Sequence, residues 1–208
     1  MAYLIAICGG SGSGKTFLAE HLLKELGDDA SRLSYDSYYR DQSSLPFEER
    51  GKLNYDDPSV MDQDLFLAHL SLIRKGQEVA IPQYDFVTHT RKKETRLFAP
   101  TPIVLIDGVL VGALPNLKSL FDFIIYVDAE SDIRLARRII RDEKERGRSG
   151  TSVIEQYLKT VRPMHKKYVE PARNYADFVF VNDENNGLDE GEMRQLVTLL
   201  KRASRKED

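Results

Sequence analysis

What this chain has little of narrows its possibilities first. It carries one cysteine, Cys8, which excludes an internal disulfide framework and fits a reducing compartment. That cysteine stands in an apolar run, where a thiol behaves as a small packed hydrophobe rather than a reactive group. Basic residues are not in excess: 30 Lys and Arg against 33 Asp and Glu leave a net charge of -3. Nucleic-acid binding driven by counterion release needs a basic surface, and the overall balance supplies none. Long apolar runs are missing too. The opening MAYLIAICGG is apolar for too few residues to be a signal peptide or a membrane span, and glycines interrupt it. Internal repeats and low-complexity linkers are absent. A cytoplasmic protein with neither a membrane nor a nucleic-acid partner is expected.

What is there suits a folded α/β protein. With 41% hydrophobic and 30% charged residues, the 208-residue chain belongs among globular sequences, long enough for one domain with a proper core over residues 1–208. Tyr3 to Cys8 reads as a strand buried on both faces, and FLAEHLLKEL as a helix stopped by Gly27. Further strands are expected at Arg32–Tyr35, Ile103–Ile106, Phe121–Val127 and Asp177–Val181. Further helices are expected over Met61–Lys75, Ser131–Glu145, Ser152–Tyr168 and Glu190–Arg202. Residues 37–60 read as loop with short helical pieces. VAIPQYDF and TRKKETRLF, within 78–98, read as a charged hairpin flap rather than core strands. Strands alternating with helices imply a parallel sheet covered on both faces, with ligands beyond the carboxyl ends of the strands. Asp36, Asp107 and Asp128 each follow such a strand, as does a glycine-rich turn.

That turn, Gly9-Gly10-Ser11-Gly12-Ser13-Gly14-Lys15-Thr16, satisfies the G-x-x-x-x-G-K-[ST] pattern of a phosphate-binding loop (P-loop). Glycines let the backbone turn its N–H groups toward phosphate oxygens while the following helix presents its positive end. Lys15 supplies a point charge for β- and γ-phosphates, and the Thr16 hydroxyl can coordinate Mg²⁺. Asp107, at the end of the IVLI strand, is the second metal candidate, although Asp-Gly is also ordinary turn chemistry. Arg134, Arg138 and Arg141 share one helical face, and Arg146 and Arg148 follow in the GRSG break. Interspersed Asp132, Asp142, Glu143 and Glu145 make a solvated, ion-paired helix the plain reading of that pattern. Arginine forks over a transferred phosphoryl group are the functional one. The pattern leaves both open.

Beyond the P-loop come SYDSYYR, NYDDP, PQYDFVTHTR, IDGVL, IYVDAESDIRLARRIIRDEKERGRS and VIEQYLKTVRPMHKKYVEPARNYADFVF, in that order. This series resembles the uridine/cytidine kinases, within the phosphoribulokinase/uridine kinase superfamily, from about residue 4 to 181. The resemblance implies a P-loop NTPase fold with a nucleoside-binding hairpin at about 78–98 and a helical lid at about 141–152. It implies phosphorylation of uridine and cytidine at the 5′-hydroxyl to UMP and CMP, with Mg²⁺ and a nucleoside triphosphate. ATP is the expected donor, yet no segment visibly selects adenine over guanine, so GTP stays open. Asp36 would be the catalytic base, with Lys15, Arg138 and Arg141 acting on the phosphates. Asp56 would grip the ribose hydroxyls, Phe86 would pack on the base, and Tyr84 and His89 would address its edge. Arg138, Arg148 and Gln156 would contact the nucleoside, and Arg146 and Arg148 would belong to the lid and bind the nucleotide. A homotetramer is the assembly it suggests.

The chain departs from that pattern in places. Asp107 stands where the family more often has Glu, and the shorter side chain would draw the carboxylate back from the metal. Phe17 replaces a small hydroxyl residue and is expected to pack under the loop. Two other functions compete. A phosphoribulokinase-like or pantothenate kinase-like enzyme would lack the Tyr84, Phe86 and His89 reader. A P-loop GTPase switch would need an N-K-x-D or T-K-x-D element, which this sequence does not contain.

Overall fold

In a computed structural model describing residues 1–183 and 190–204, five parallel strands form a central sheet in the order β2-β5-β1-β6-β7. The middle strand, β1 (Tyr3–Gly9), is buried along its whole length. Its lack of polar alternation follows from cover on both faces. Around it lie β2 (Ala30–Ser34), β5 (Ile103–Asp107), β6 (Phe123–Asp128) and β7 (Phe178–Val181). β3 (Val79–Asp85) and β4 (Thr90–Phe98) pair antiparallel as a separate hairpin. The helices are α1 (Lys15–Leu26), α2 (Phe47–Arg50), α3 (Gln63–Arg74), α4 (Leu117–Leu120), α5 (Ser131–Arg146), α6 (Gly150–Gln156), α7 (Arg162–Met164) and α8 (Glu190–Ala203).

Alternate β1 side chains feed two cores. Ile5 and Ile7 pack with Leu18 and Leu22 of α1 and with Leu196 and Leu200 of α8. Leu4, Ala6 and Cys8 face the opposite way, toward Tyr35, Tyr38 and Phe66. Burial pushes the Cys8 thiol up to about 12, so it is an inert packed group. Phe17, by contrast, does not tuck under the loop; it is 48% exposed, on the outer side of α1.

Two boundaries differ from expectation for local reasons. β6 starts at Phe123 rather than Phe121, because the Asp122 carboxylate accepts the Leu4 N–H at 2.7 Å and pairs with Arg74 at 2.7 Å. A side chain thus replaces the first ladder bond. The helix after the GRSG break begins at Gly150, with Ser149 Oγ accepting the Ser152 N–H at 3.3 Å. Winding then continues to Tyr175 through wide π-type turns at Tyr157–Val161 and His165–Val169. These flank Pro163, which has no N–H to give to an i→i-4 bond. No helix of the described residues is long and apolar enough to cross a membrane.

The hairpin is tied down rather than free. Arg91 of β4 donates to Tyr39 O at 2.8 and 3.1 Å and to Asp62 at 2.9 Å. Ile81 and Tyr84 on β3 are buried in the core between them. At the hairpin tip His89 takes φ +56, a backbone conformation that costs a non-glycine residue and marks an over-determined position.

Candidate active site

The glycine turn and the residues after β2 and β5 lie at one edge of the sheet, since the strands run parallel. Residues 9–16 wrap from β1 into α1, with Gly14 in the left-handed region at the helix start. Gly12 has φ +81, and a Cβ there would come within 2.4 Å of the Arg134 carbonyl oxygen. Only glycine lets α5 press so closely on the loop. Arg134 itself is buried and donates through Nε to Ala129 O at 3.0 Å. From the other side, Asn182 Nδ2 donates to Ser13 O at 2.7 Å. Lys15 Nζ donates to Gly10 O at 2.8 Å. Burial lowers its pKa to about 8, opposed by the nearby Asp36 and Asp107.

Asp36 is the second residue of a short helical turn, Tyr35–Tyr38, directly after β2. Burial raises its carboxyl to about 6; Lys15 opposes that shift, Asp107 adds to it, and the Val109 N–H opposes it. Among the described residues its Oδ1 has no hydrogen-bond partner. A buried acceptor left open in this way suits a hydroxyl that arrives with a ligand. A Cβ on Gly108 would stand 2.9 Å from that same oxygen, so the Asp-Gly pair closing β5 also makes room for Asp36. Asp107 is engaged otherwise: Arg32 Nε and NH2 reach its two oxygens at 2.9 Å each.

Beside Asp36 lies a cavity of about 440 Å³. Ser11 and Asp36 mark its P-loop end, while Tyr39, Tyr55, Tyr84, Phe86 and His89 form an aromatic wall. His89 stacks on Tyr55 with ring centroids 4.6 Å apart, and Tyr84 meets Phe86 edge-on at 5.2 Å. Burial first, then Arg146, Arg148 and Arg50, lowers the His89 pKa, so the ring is neutral near pH 7 with one donor and one acceptor nitrogen. Asp56 is in the wall, and its Oδ2 accepts the Thr160 hydroxyl at 3.2 Å. Burial raises its pKa, with Arg138 opposing.

The arginines converge on one acid. Asp142 is fully buried, and its carboxylate takes Arg141 at 2.8 Å, with Arg148, Arg146 and Arg138 at 3.5, 3.6 and 3.7 Å. Arg138 also donates to Ser11 Oγ at 3.0 Å and to Gln156 Oε1 at 2.8 Å. Arg148 donates to that same Gln156 oxygen. Gly147, in the left-handed region at φ +61, turns the chain after α5 so that Arg146 and Arg148 point back into the cluster. Arg146 also lies over the Phe86 ring at 5.7 Å, so the end of α5 touches the hairpin.

Asp36, Asp56, Tyr84, Phe86, His89, Arg138, Arg141, Arg146, Arg148 and Gln156 therefore share one cavity wall. Thr16 and Asp107 are not in it; they lie on the P-loop side. Sequence reasoning missed Tyr39 and Tyr55 in the aromatic wall and three supporting residues. Asp142 was read with the solvated acids, yet it is the hub of the arginines. Arg32 reaches Asp107 across 75 residues, and Asn182 reaches Ser13 across 169. No local pattern encodes contacts at such separations.

The family model described as "Phosphoribulokinase / Uridine kinase family" matches residues 4–188. The uridine kinase of Staphylococcus carnosus (strain TM300) is 46% identical over 184 residues, 88% of each chain. That of Chloroflexus aurantiacus (strain ATCC 29366 / DSM 635 / J-10-fl) is 45% identical over the same span, again 88% of each. Among solved structures, phosphoribulokinase from Rhodobacter spheroides superposes with a TM-score of 0.62 at 15% identity, over 86% of this chain and 70% of the other. That last likeness concerns the fold alone.

Proposed function

The chain belongs to the phosphoribulokinase/uridine kinase family, and from that membership and the cavity we propose that it is a uridine kinase, transferring the γ-phosphoryl group of ATP to the 5′-hydroxyl of uridine and cytidine. The reading treats residues 1–208 as one P-loop kinase domain, with 78–98 as base-reading hairpin and 141–152 as lid. One observation carries it. A buried carboxylate with an open oxygen stands at the junction between a P-loop and a cavity walled by aromatic rings and by Arg138, Arg141, Arg146 and Arg148.

The chemistry follows from what each group can do. Uridine enters with its base against Phe86, and neutral His89 can donate to a pyrimidine O4 or accept from an N4 amine. Asp56 accepts from the ribose diol, exchanging the Thr160 hydroxyl for substrate. Asp36 orients the 5′-OH and takes its proton as the 5′ oxygen bonds to the γ-phosphorus and the β–γ bridging P–O bond breaks, releasing ADP. In a loose transition state charge spreads over the phosphoryl oxygens, where Lys15 and the arginine forks stabilise it. A lid joined to the hairpin through Arg146 and Phe86 would exclude water, which otherwise hydrolyses ATP.

Mg²⁺ asks for few protein ligands, usually one or two beside phosphates and waters. Thr16, exposed at the first turn of α1, fits that demand. Asp107 fits it only at second hand, because both its oxygens already accept from Arg32. Bound Mg²⁺ would neutralise charge on the β- and γ-phosphate oxygens.

The test is ADP release measured with ATP and with GTP against uridine, cytidine, their deoxy forms, ribulose phosphate and pantothenate. Turnover on uridine and cytidine is expected. Turnover confined to ribulose phosphate or pantothenate would replace this reading with another kinase of the family. ATP hydrolysis that no nucleoside accelerates would favour a switch protein.

A further inference from the structure

Arg32 is the group that the proposed mechanism leaves unused. It sits on β2 opposite Leu105 of β5, and its side chain lies between Asp107 and Glu20 of α1. Nε meets Asp107 Oδ1 and NH2 meets Oδ2, each at 2.9 Å, while the Asp107 side chain is only 5% exposed. This is a fork-on-carboxylate pair with both oxygens taken, the geometry that arginine makes strongest. The pair is one strand over from the P-loop, since Asp107 lies beside Ile7 in the β1–β5 register. Lys15 feels Asp107 electrostatically, and Arg32 feels Asp36, so all four charges occupy one neighbourhood.

We propose that Arg32 competes with the divalent cation for the Asp107 carboxylate, and so sets how tightly the protein takes up a metal–nucleotide complex. The inference rests on the kinase reading for the presence of that complex. Its physical basis is simple. A Mg²⁺ ion coordinates oxygen at about 2.0–2.1 Å in near-octahedral geometry. To bind Asp107 directly it must displace one guanidinium N–H, or accept the remaining lone pair with a fixed positive charge a few ångströms away. Either course weakens direct coordination. Arg32 would therefore keep Asp107 as an acceptor for metal-bound water and leave Thr16 to hold the metal directly.

The experiment counts bound Mn²⁺ by electron paramagnetic resonance, with a non-hydrolysable ATP analogue, on the full chain and on Arg32→Leu and Arg32→Lys. Arg32→Leu should tighten Mn²⁺ binding on the order of tenfold, the scale of removing one close competing cation. Arg32→Lys, which keeps the charge and loses the fork, should move it the same way by less. Binding of the analogue in EDTA should stay within about twofold of wild type in both. Unchanged or weaker Mn²⁺ binding overturns the proposal, however far the melting temperature falls. Should Arg32→Leu fail to fold, Arg32→Lys decides alone by the same criterion. Uridine phosphorylation by the wild type is scored separately: its failure would remove the kinase reading without touching the Mn²⁺ comparison.

Discussion

The two sides of the cleft are built by different means. On the P-loop side, backbone does the work: glycines with positive φ, N–H groups at a helix start, and supports such as Asn182 and Arg134 pressed against main-chain atoms. On the aromatic side, side chains from remote segments do it. Tyr39 and Tyr55 from the 37–60 loop, His89 and Phe86 from the hairpin, and the arginines of α5 and of the turn after it meet around one cavity. Backbone binding is generic for any triphosphate, while a side-chain wall can be shaped for one acceptor. The first side should therefore fail through strain, and the second through lost contacts and uncompensated charge.

Asp36 joins the two sides, and its loss should be felt most. Asp36→Asn should lower kcat by about two to four orders of magnitude, while uridine binding measured by calorimetry stays close to wild type. Near-normal turnover would take Asp36 out of the catalytic step. Next comes Gly12→Ala, where the added methyl meets the Arg134 carbonyl at 2.4 Å with φ at +81. It should cost about 1–3 kcal/mol of stability and abolish nucleotide binding; an unperturbed melting curve would refute the close-packed picture of that side.

Asp142→Asn tests the other half. Removing the acid leaves the buried Arg138 guanidinium without its carboxylate, facing the half-buried Arg141, Arg146 and Arg148. Breaking such a buried pair costs about 3–5 kcal/mol, read as a fall in melting temperature, with weaker uridine affinity and ATP affinity less changed. Equal losses for both ligands would mean that the arginine cluster serves the triphosphate as much as the nucleoside. His89→Ala should weaken uridine by about tenfold, the worth of a good hydrogen bond, without altering ATP affinity.

The smallest effect is on pH. Asp36 has its pKa raised to about 6, so the base is protonated and activity is lost as pH falls through that value. Lys15 has its pKa lowered to about 8, so the nucleotide-free protein loses that positive charge as pH rises through it. The profile of kcat/KM, which reports the free enzyme, should be a bell with limbs near those values. A flat profile from pH 5 to 9 would contradict both assignments.

Much of this was legible beforehand. Apolar runs without alternation marked the central strands, and G-x-x-x-x-G-K-T marked the loop, because short-range patterns encode strands and turns directly. The carboxylates after β2 and β5 were found by the rule for parallel sheets. The charge pattern of α5 misled about Asp142, since a buried acid among arginines reads the same as a solvated one until neighbours arrive. Phe17 is expected under the loop yet lies on the exposed side of α1, whose buried side is made by Leu18, Ala19 and Leu22.

The amino-acid sequence by itself determined the strand–loop–helix of the P-loop and the alternation of strands with helices along the chain, since each is set by residues within a few positions of one another. Only the tertiary structure decided that both oxygens of Asp107 belong to Arg32, that Asp142 gathers four arginines, and that Tyr55 stacks on His89. Those pairings join positions brought close by chain crossovers, and their strength comes from burial, which no single segment carries alone.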